Sequence, residues 1–127
     1  MAVTLWVALG GALGSVARYW LGIWMLPISK HIPFGTIIIN VVGSFAIAFF
    51  MVLSAKNGRQ PASEIMRAFF MVGLCGGFTT FSSFSLQTVG LLNEGFILRA
   101  FLNVFLSVLC CLGATAIGLY SAHSLNQ

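Results

Sequence analysis

The stretch Gly73-Leu74-Cys75-Gly76-Gly77-Phe78-Thr79-Thr80-Phe81-Ser82-Ser83-Phe84-Ser85 decides how this chain is read. It sits in an apolar run, residues 68–92, that is long enough to cross a bilayer as a helix, which takes about 20 residues. Its paired glycines, two threonines and serine-rich tail nevertheless weaken a helix, through backbone entropy and through side-chain hydrogen bonds that compete with the helical ones. The run is therefore expected to span the membrane as a helix broken near its middle. Carbonyls freed at that depth must be satisfied by protein, water or an ion, and main-chain oxygens there can hold a cation.

The rest of the chain shares this character. Of 127 residues, 59% are hydrophobic and 6% charged, whereas a soluble domain carries about a quarter charged residues. Three more apolar runs, 2–26, 35–55 and 100–122, are each long enough to span, and Arg18 is the only charge within any of the four. The connections are short: 27–34, 56–67 and the Asn93-Glu94-Gly95 turn. The expectation is one all-α membrane domain over residues 1–127. Its four transmembrane helices form an antiparallel hairpin stack with both termini on one side. The runs lack the polar–apolar alternation of a membrane barrel. The first has no basic start and is expected to remain as a helix rather than serve as a cleaved leader.

Lys and Arg near the membrane ends normally fix orientation through a cytoplasmic excess. Here Lys56, Arg59 and Arg67 belong to the side of the termini, and Lys30 and Arg99 to the other, with Arg18 deep in the first helix. So small a bias suggests insertion in both orientations and assembly as an antiparallel pair. Four helices seldom enclose a pathway alone, and two inverted copies about an axis in the membrane plane reproduce the architecture of inverted-repeat transporters. Gly10, Gly14 and Gly22, with Gly11 alongside, form a smooth strip suited to close helix packing, and Gly113 and Gly118 read the same way. The scattered positive charges read as interface anchors rather than as a nucleic-acid surface.

Polar groups within apolar runs carry the functional information, because burying them is unfavourable without a partner or a purpose. Asn40 is either an interhelical hydrogen-bond staple or an uncharged donor for a passing anion. Asn103 and Ser107 are four apart and share a face; taken alone they read as packing, with Ser107 also a candidate pathway hydroxyl. Phe81 and Phe84, three apart, share another face, while Ser82, Ser83 and Ser85 surround the same turn with hydroxyls. Alone, the Phe pair reads as helix packing. Beside a helix break and clustered hydroxyls, it reads as a pathway. Arg18 either snorkels to an interface or faces a water-filled vestibule.

In these motifs the sequence resembles the small bacterial fluoride channels called Fluc or CrcB. The likeness covers the whole chain: Gly10-Gly11-Ala12-Leu13-Gly14-Ser15-Val16-Ala17-Arg18-Tyr19 in the first run, Gly35-Thr36 and Asn40-Val41-Val42-Gly43-Ser44 in the second, and Gly77-Phe78-Thr79-Thr80-Phe81-Ser82-Ser83-Phe84-Ser85 in the third. The resemblance implies an antiparallel dual-topology homodimer in the bacterial inner membrane, with two parallel pathways that passively export toxic fluoride. It implies that Phe81 and Phe84 line the pores, that Asn40 faces the fluoride path, and that Ser82 and Ser83 belong to a polar track continuing toward Gln87. It further implies a structural Na⁺ at the dimer axis, held by the carbonyls of Gly76 and Thr79. Relatives vary at the positions of Gln87 and Asn103.

Elementary chemistry agrees with this picture. A path for a small, strongly hydrated anion must replace water with close donors while avoiding a fixed charge that traps the ion. Ring edges of Phe81 and Phe84 supply weak contacts, and Asn40 and the serine hydroxyls supply stronger ones. A small dual-topology multidrug transporter needs a membrane-embedded carboxylate, yet the only acids, Glu64 and Glu94, fall in connections. A non-transporting membrane scaffold would account for the glycine strips but not for the hydroxyls beside the break. Enzymatic activity is not expected, since Cys75, Cys110 and Cys111 lack metal or redox spacing and His31 and His123 lack an acid partner.

Overall fold

A computed structural model describes residues 1–127. The chain is all-helical, with four spans long and apolar enough to cross a membrane. Helix α1 is Ala2–Trp24, and α2 is Phe34–Leu53. The third span begins with α3, residues 64–78, which comprises an α-helical start Glu64–Arg67, a π-helical run Ala68–Cys75 and a last turn Gly76–Phe78. It resumes as α4, Phe81–Asn93, and the fourth span is α5, Ile97–Asn126.

Local chemistry sets the ends. Pro27 sits in a short 3₁₀ turn, Leu26–Ile28, so α1 stops two residues before the apolar run does. Ser29 ties this loop together, donating to the Met25 carbonyl at 2.8 Å and accepting from the Gly35 N–H at 2.9 Å. Ser63 caps α3 by accepting from the Met66 N–H, and Glu64 sits in the first turn where the helix dipole favours an anion. Gly95, at φ +85°, closes the tight turn between α4 and α5 in the left-handed region that glycine enters without steric cost. The helix beyond it runs past the expected 100–122 at both ends.

The packing partners differ from a simple hairpin stack. Rather than each helix packing mainly on its sequence neighbour, α1 packs on α3 and α2 packs on α5, both parallel pairs. Glycine explains the first pair. A Cβ on Gly14 would collide with the Leu74 carbonyl and stand 2.8 Å from the Phe78 nitrogen, and one on Gly73 would stand 2.8 Å from the Val7 carbonyl. The two backbones thus touch, as small residues permit in lipid. In the second pair a Cβ on Gly118 would meet the Phe45 carbonyl at 2.7 Å. Gly22 and Gly113 take no part in these two pairs, since within the single chain nothing lies within 4 Å of a Cβ at either.

Both termini share one end with the second loop. The Arg59 N–H donates to Asn126 Oδ1 at 2.8 Å and its guanidinium to the Leu125 carbonyl at 3.1 Å. Arg67 closes the end of α2 by donating to Ser54 Oγ at 2.6 Å and to the Met51 carbonyl at 3.1 Å.

Candidate functional site

The site is organised by Thr79 and Thr80, which connect α3 to α4 with extended dihedrals, φ −85°, ψ 161° and φ −153°, ψ 120°. Backbone groups here must find partners other than the helical ones. Thr79 closes the end of α3 by donating its N–H and its hydroxyl to the Cys75 carbonyl, at 3.0 and 2.9 Å. In a continuous helix the Thr80 N–H would reach the Gly76 carbonyl; it donates instead to Asn40 Oδ1 at 2.8 Å. Asn40 Nδ2 in turn donates to the Thr80 carbonyl at 3.0 Å. The amide of α2 thereby clamps both backbone groups of Thr80, and these two bonds fix which of its ends is oxygen. Arg18 Nε donates to the Gly77 carbonyl at 3.0 Å, with Ser15 Oγ at 3.5 Å from the same oxygen. The Thr79 carbonyl accepts no hydrogen bond within the chain, and the Gly76 carbonyl has lost its helical donor.

Two cavities flank this connection. The larger, about 580 Å³, is a charged vestibule whose lining includes Arg18, Lys30, His31 and Glu94, with Ser83 and Gln87. The smaller, about 390 Å³, carries no charged side chain; Asn40, Thr79, Phe81, Phe84 and Ser107 line it, with Gly76. Thr80 lines both. Gly43 gives the smaller cavity its shape, since a Cβ there would collide with the Thr79 methyl.

The candidates from the sequence are thus divided between the two spaces. Asn40, Phe81, Phe84, Ser107, Gly76 and Thr79 meet in the smaller cavity. The Phe81 and Phe84 rings lie 5.4 Å apart at 50°, and Phe81 is 78% exposed on the single chain. Ser83 instead faces the vestibule. Ser82 lines neither cavity, and its hydroxyl lies 3.3 Å from Thr80 Oγ1. Asn103, 1% exposed, ties α5 to α4 by donating to Thr88 Oγ1 at 2.9 Å, and Ser107 Oγ lies 3.5 Å from Asn103 Oδ1. Asn40 carries out the staple role weighed for it while also lining the cavity. Arg18 faces the vestibule and bonds the Gly77 carbonyl.

Sequence reasoning missed Thr80 as the residue common to both spaces; its place between the Gly-Gly pair and the Phe pair was the available signal. It also missed Ser44 in the smaller cavity and Thr36 in the larger. Gln87 Oε1 is buried without a partner beside the vestibule.

Comparison with known proteins adds an independent observation. Residues 5–119 match the family model described as CrcB-like protein, Camphor Resistance (CrcB). The chain is 53% identical over 118 residues to a protein of Methylobacterium radiotolerans named fluoride-specific ion channel FluC, covering 92% of this chain and 82% of the other. A Gluconobacter oxydans protein of the same name is 53% identical over 121 residues, covering 94% and 84%. A third of that name, from Methylocella silvestris, is 48% identical over 124 residues, covering 97% and 95%.

Proposed function

From the premise that this chain belongs to the CrcB family, we propose that it is a fluoride channel, a multi-pass membrane protein that lets fluoride leave the cell passively through the bacterial inner membrane. One observation carries the reading: a cavity lined by neutral donors and two phenylalanine rings, without a carboxylate, adjoins through Thr80 a vestibule in which Arg18 and Lys30 outweigh the single acid Glu94. A positive vestibule gathers anions. The uncharged stretch beyond it offers the remaining amide hydrogen of Asn40, the hydroxyl of Ser107, and the ring edges of Phe81 and Phe84. None is a fixed charge that would hold the ion in place.

The conducting unit in this reading is an antiparallel homodimer with a pathway on each side. Three features of the single chain favour a second copy. Helix α4 has no buried residue. The Phe81 ring is mostly bare. The Thr79 carbonyl, at a depth where every polar group needs a partner, has none. A balanced distribution of Lys and Arg lets the copies insert in opposite senses.

The carbonyls of Gly76 and Thr79 have the chemistry of a hard-cation site, since main-chain oxygen suits hard ions better than soft ones. Two such oxygens per chain become four in a symmetric pair. Gly76 and Thr79 would hold the Na⁺, which supplies positive potential near the break and joins the two third spans. The extended residues Thr79 and Thr80 are, in this reading, a mid-membrane helix break that exists to present those oxygens.

Fluoride-electrode recordings of efflux from proteoliposomes containing the pure protein test the reading. Efflux far above that of protein-free vesicles is expected, and retention equal to theirs refutes it. Reporters fused to the C-terminus test the pairing, with signal expected on both sides of the membrane.

A further inference from the structure

Hydroxyl groups along α4 are not equivalent, and accounting for their protons separates them. The Ser85 hydroxyl donates back to the Phe81 carbonyl at 3.0 Å, and Thr88 to the Phe84 carbonyl at 2.7 Å; both protons are committed. Such bonds to the carbonyl four residues earlier are the ordinary local option for a serine or threonine in a helix. Ser83 makes none. Its oxygen accepts a hydrogen bond from Thr80 Oγ1 at 3.2 Å, while its N–H donates to Thr80 Oγ1 at 3.1 Å. A hydroxyl has one proton and two acceptor positions. With the Thr80 proton given to Ser83, the 3.3 Å contact between Thr80 and Ser82 requires Ser82 to donate. Among these four side chains only Ser83 keeps an uncommitted proton, and Ser83 lines the vestibule.

We propose that Thr80 is a positioning residue for anion transfer: by donating to Ser83 Oγ it aims the Ser83 proton into the vestibule, making Ser83 the hydroxyl that donates to fluoride where the ion passes from the charged space to the uncharged one. Thr80 lines both spaces, so the hand-over point and the group that polarises it coincide. Without the Thr80 hydroxyl, nothing holds the Ser83 oxygen toward the vestibule, and the acceptor that Ser85 and Thr88 use is no substitute: the carbonyl four residues back from Ser83 belongs to Thr79, whose extended backbone takes it out of the helical ladder. The Ser83 hydroxyl is then free to turn away from the anion.

This inference rests on the fluoride reading, and a double-mutant cycle separates the two. Proteoliposome efflux is measured with a fluoride electrode for wild type, Thr80→Val, Thr80→Ser, Ser83→Ala and the Thr80→Val/Ser83→Ala pair. A loss of about tenfold, equivalent to ~1.4 kcal/mol, is expected for Thr80→Val and for Ser83→Ala. The pair is expected to lose no more than either alone, because one residue acts through the other. Thr80→Ser should retain wild-type efflux. A role limited to capping α4 predicts instead that the losses multiply. Should Thr80→Val fail to assemble, Thr80→Gly replaces it, since glycine is tolerated at a helix N-cap and lacks the hydroxyl. A conducting wild type with multiplying losses, or with Ser83→Ala at wild-type rate, overturns the inference alone. A wild type that retains fluoride overturns the reading beneath it.

Discussion

Replacing Asn40 with alanine removes both partners of the Thr80 backbone at once: the acceptor 2.8 Å from its N–H and the donor 3.0 Å from its carbonyl. Leaving a half-buried donor or acceptor without its partner costs about 1–3 kcal/mol each, so the unrelaxed penalty is about 2–6 kcal/mol. Part is recoverable, because the Thr80 N–H can return to the Gly76 carbonyl as in a continuous helix. That repair has a geometric consequence. An extended residue rises about 3.3 Å and a helical one about 1.5 Å, so drawing Thr79 and Thr80 into the helix shortens the span by about 3–4 Å. Phe81 and Phe84 would leave the cavity they now line, and the Gly76 oxygen would be taken. The expected outcome for Asn40→Ala is a net loss of about 1–3 kcal/mol in stability, with fluoride efflux reduced at least tenfold in a protein that still dimerises. Electrode-monitored efflux and thermal melting of the purified protein measure the two effects. Efflux within twofold of wild type together with an unchanged melting temperature would refute the reasoning, since it would mean that the clamp supports neither the backbone nor the path.

Phe81→Ile and Phe84→Ile should each sharply lower efflux from liposomes without preventing assembly, because a branched aliphatic chain fills space but has no positive ring edge; unchanged efflux in both removes the rings from the pathway. Gly14→Val should abolish assembly, as its side chain meets the Leu74 carbonyl and the Phe78 nitrogen, whereas Gly22→Ala, with nothing within 4 Å, should elute and melt like wild type. Arg18→Gln removes one vestibule charge and the bond to the Gly77 carbonyl. A unit charge about 10 Å away in water is worth ~0.4 kcal/mol, so its electrostatic part is about twofold in efflux, visible at 10 mM salt and lost at 1 M. Reconstitution with N-methyl-D-glucamine in place of Na⁺ should lower both efflux and dimer stability if the Gly76 and Thr79 oxygens hold the cation.

How far the sequence could be read depended on the range of each interaction. The spans were legible because hydrophobic length is a local property: residues 35–55 match Phe34–Leu53 to within two residues at either end. The weakness at Gly76-Gly77-Phe78-Thr79-Thr80 was legible for the same reason, since propensity and side-chain competition act within one turn. Helix pairing was not, because the fit between Gly14 on α1 and the backbone of Leu74 and Phe78 is a match between distant surfaces, and hairpin connectivity suggested the wrong neighbours. The π-helical run Ala68–Cys75 left no pattern to detect. For the site, residue type identified Asn40, Phe81, Phe84 and Ser107, but not which space each would face. Ser82 and Ser83 differ by one position, about 100° around a helix, and only the placement of Thr80 as the cap of α4 separates them.

In the proposed reading the opened connection and the pathway are one piece of chemistry. Opening two residues of a helix within a membrane exposes donors and acceptors in equal measure, and what the surrounding helices do with each kind decides what the opening can serve. Here the Thr80 N–H and carbonyl are both consumed by Asn40, and the Gly77 carbonyl by Arg18. Arg18 satisfies a carbonyl and charges the vestibule with the same guanidinium. Two oxygens, those of Gly76 and Thr79, and two hydrogens, one on Asn40 and one on Ser83, are left without a partner in the chain. In the proposed reading the oxygens serve the cation and the hydrogens the anion; serine and asparagine donors stay neutral, so they would exchange one fluoride for the next, while the positive charges stand in the wider cavity where water screens them. Moving a fixed positive charge into the smaller cavity, as Ser107→Lys would, should therefore slow fluoride release rather than speed its passage. Efflux at least tenfold below wild type is the expected result, and an accelerated rate would contradict the separation of charged entry from neutral passage.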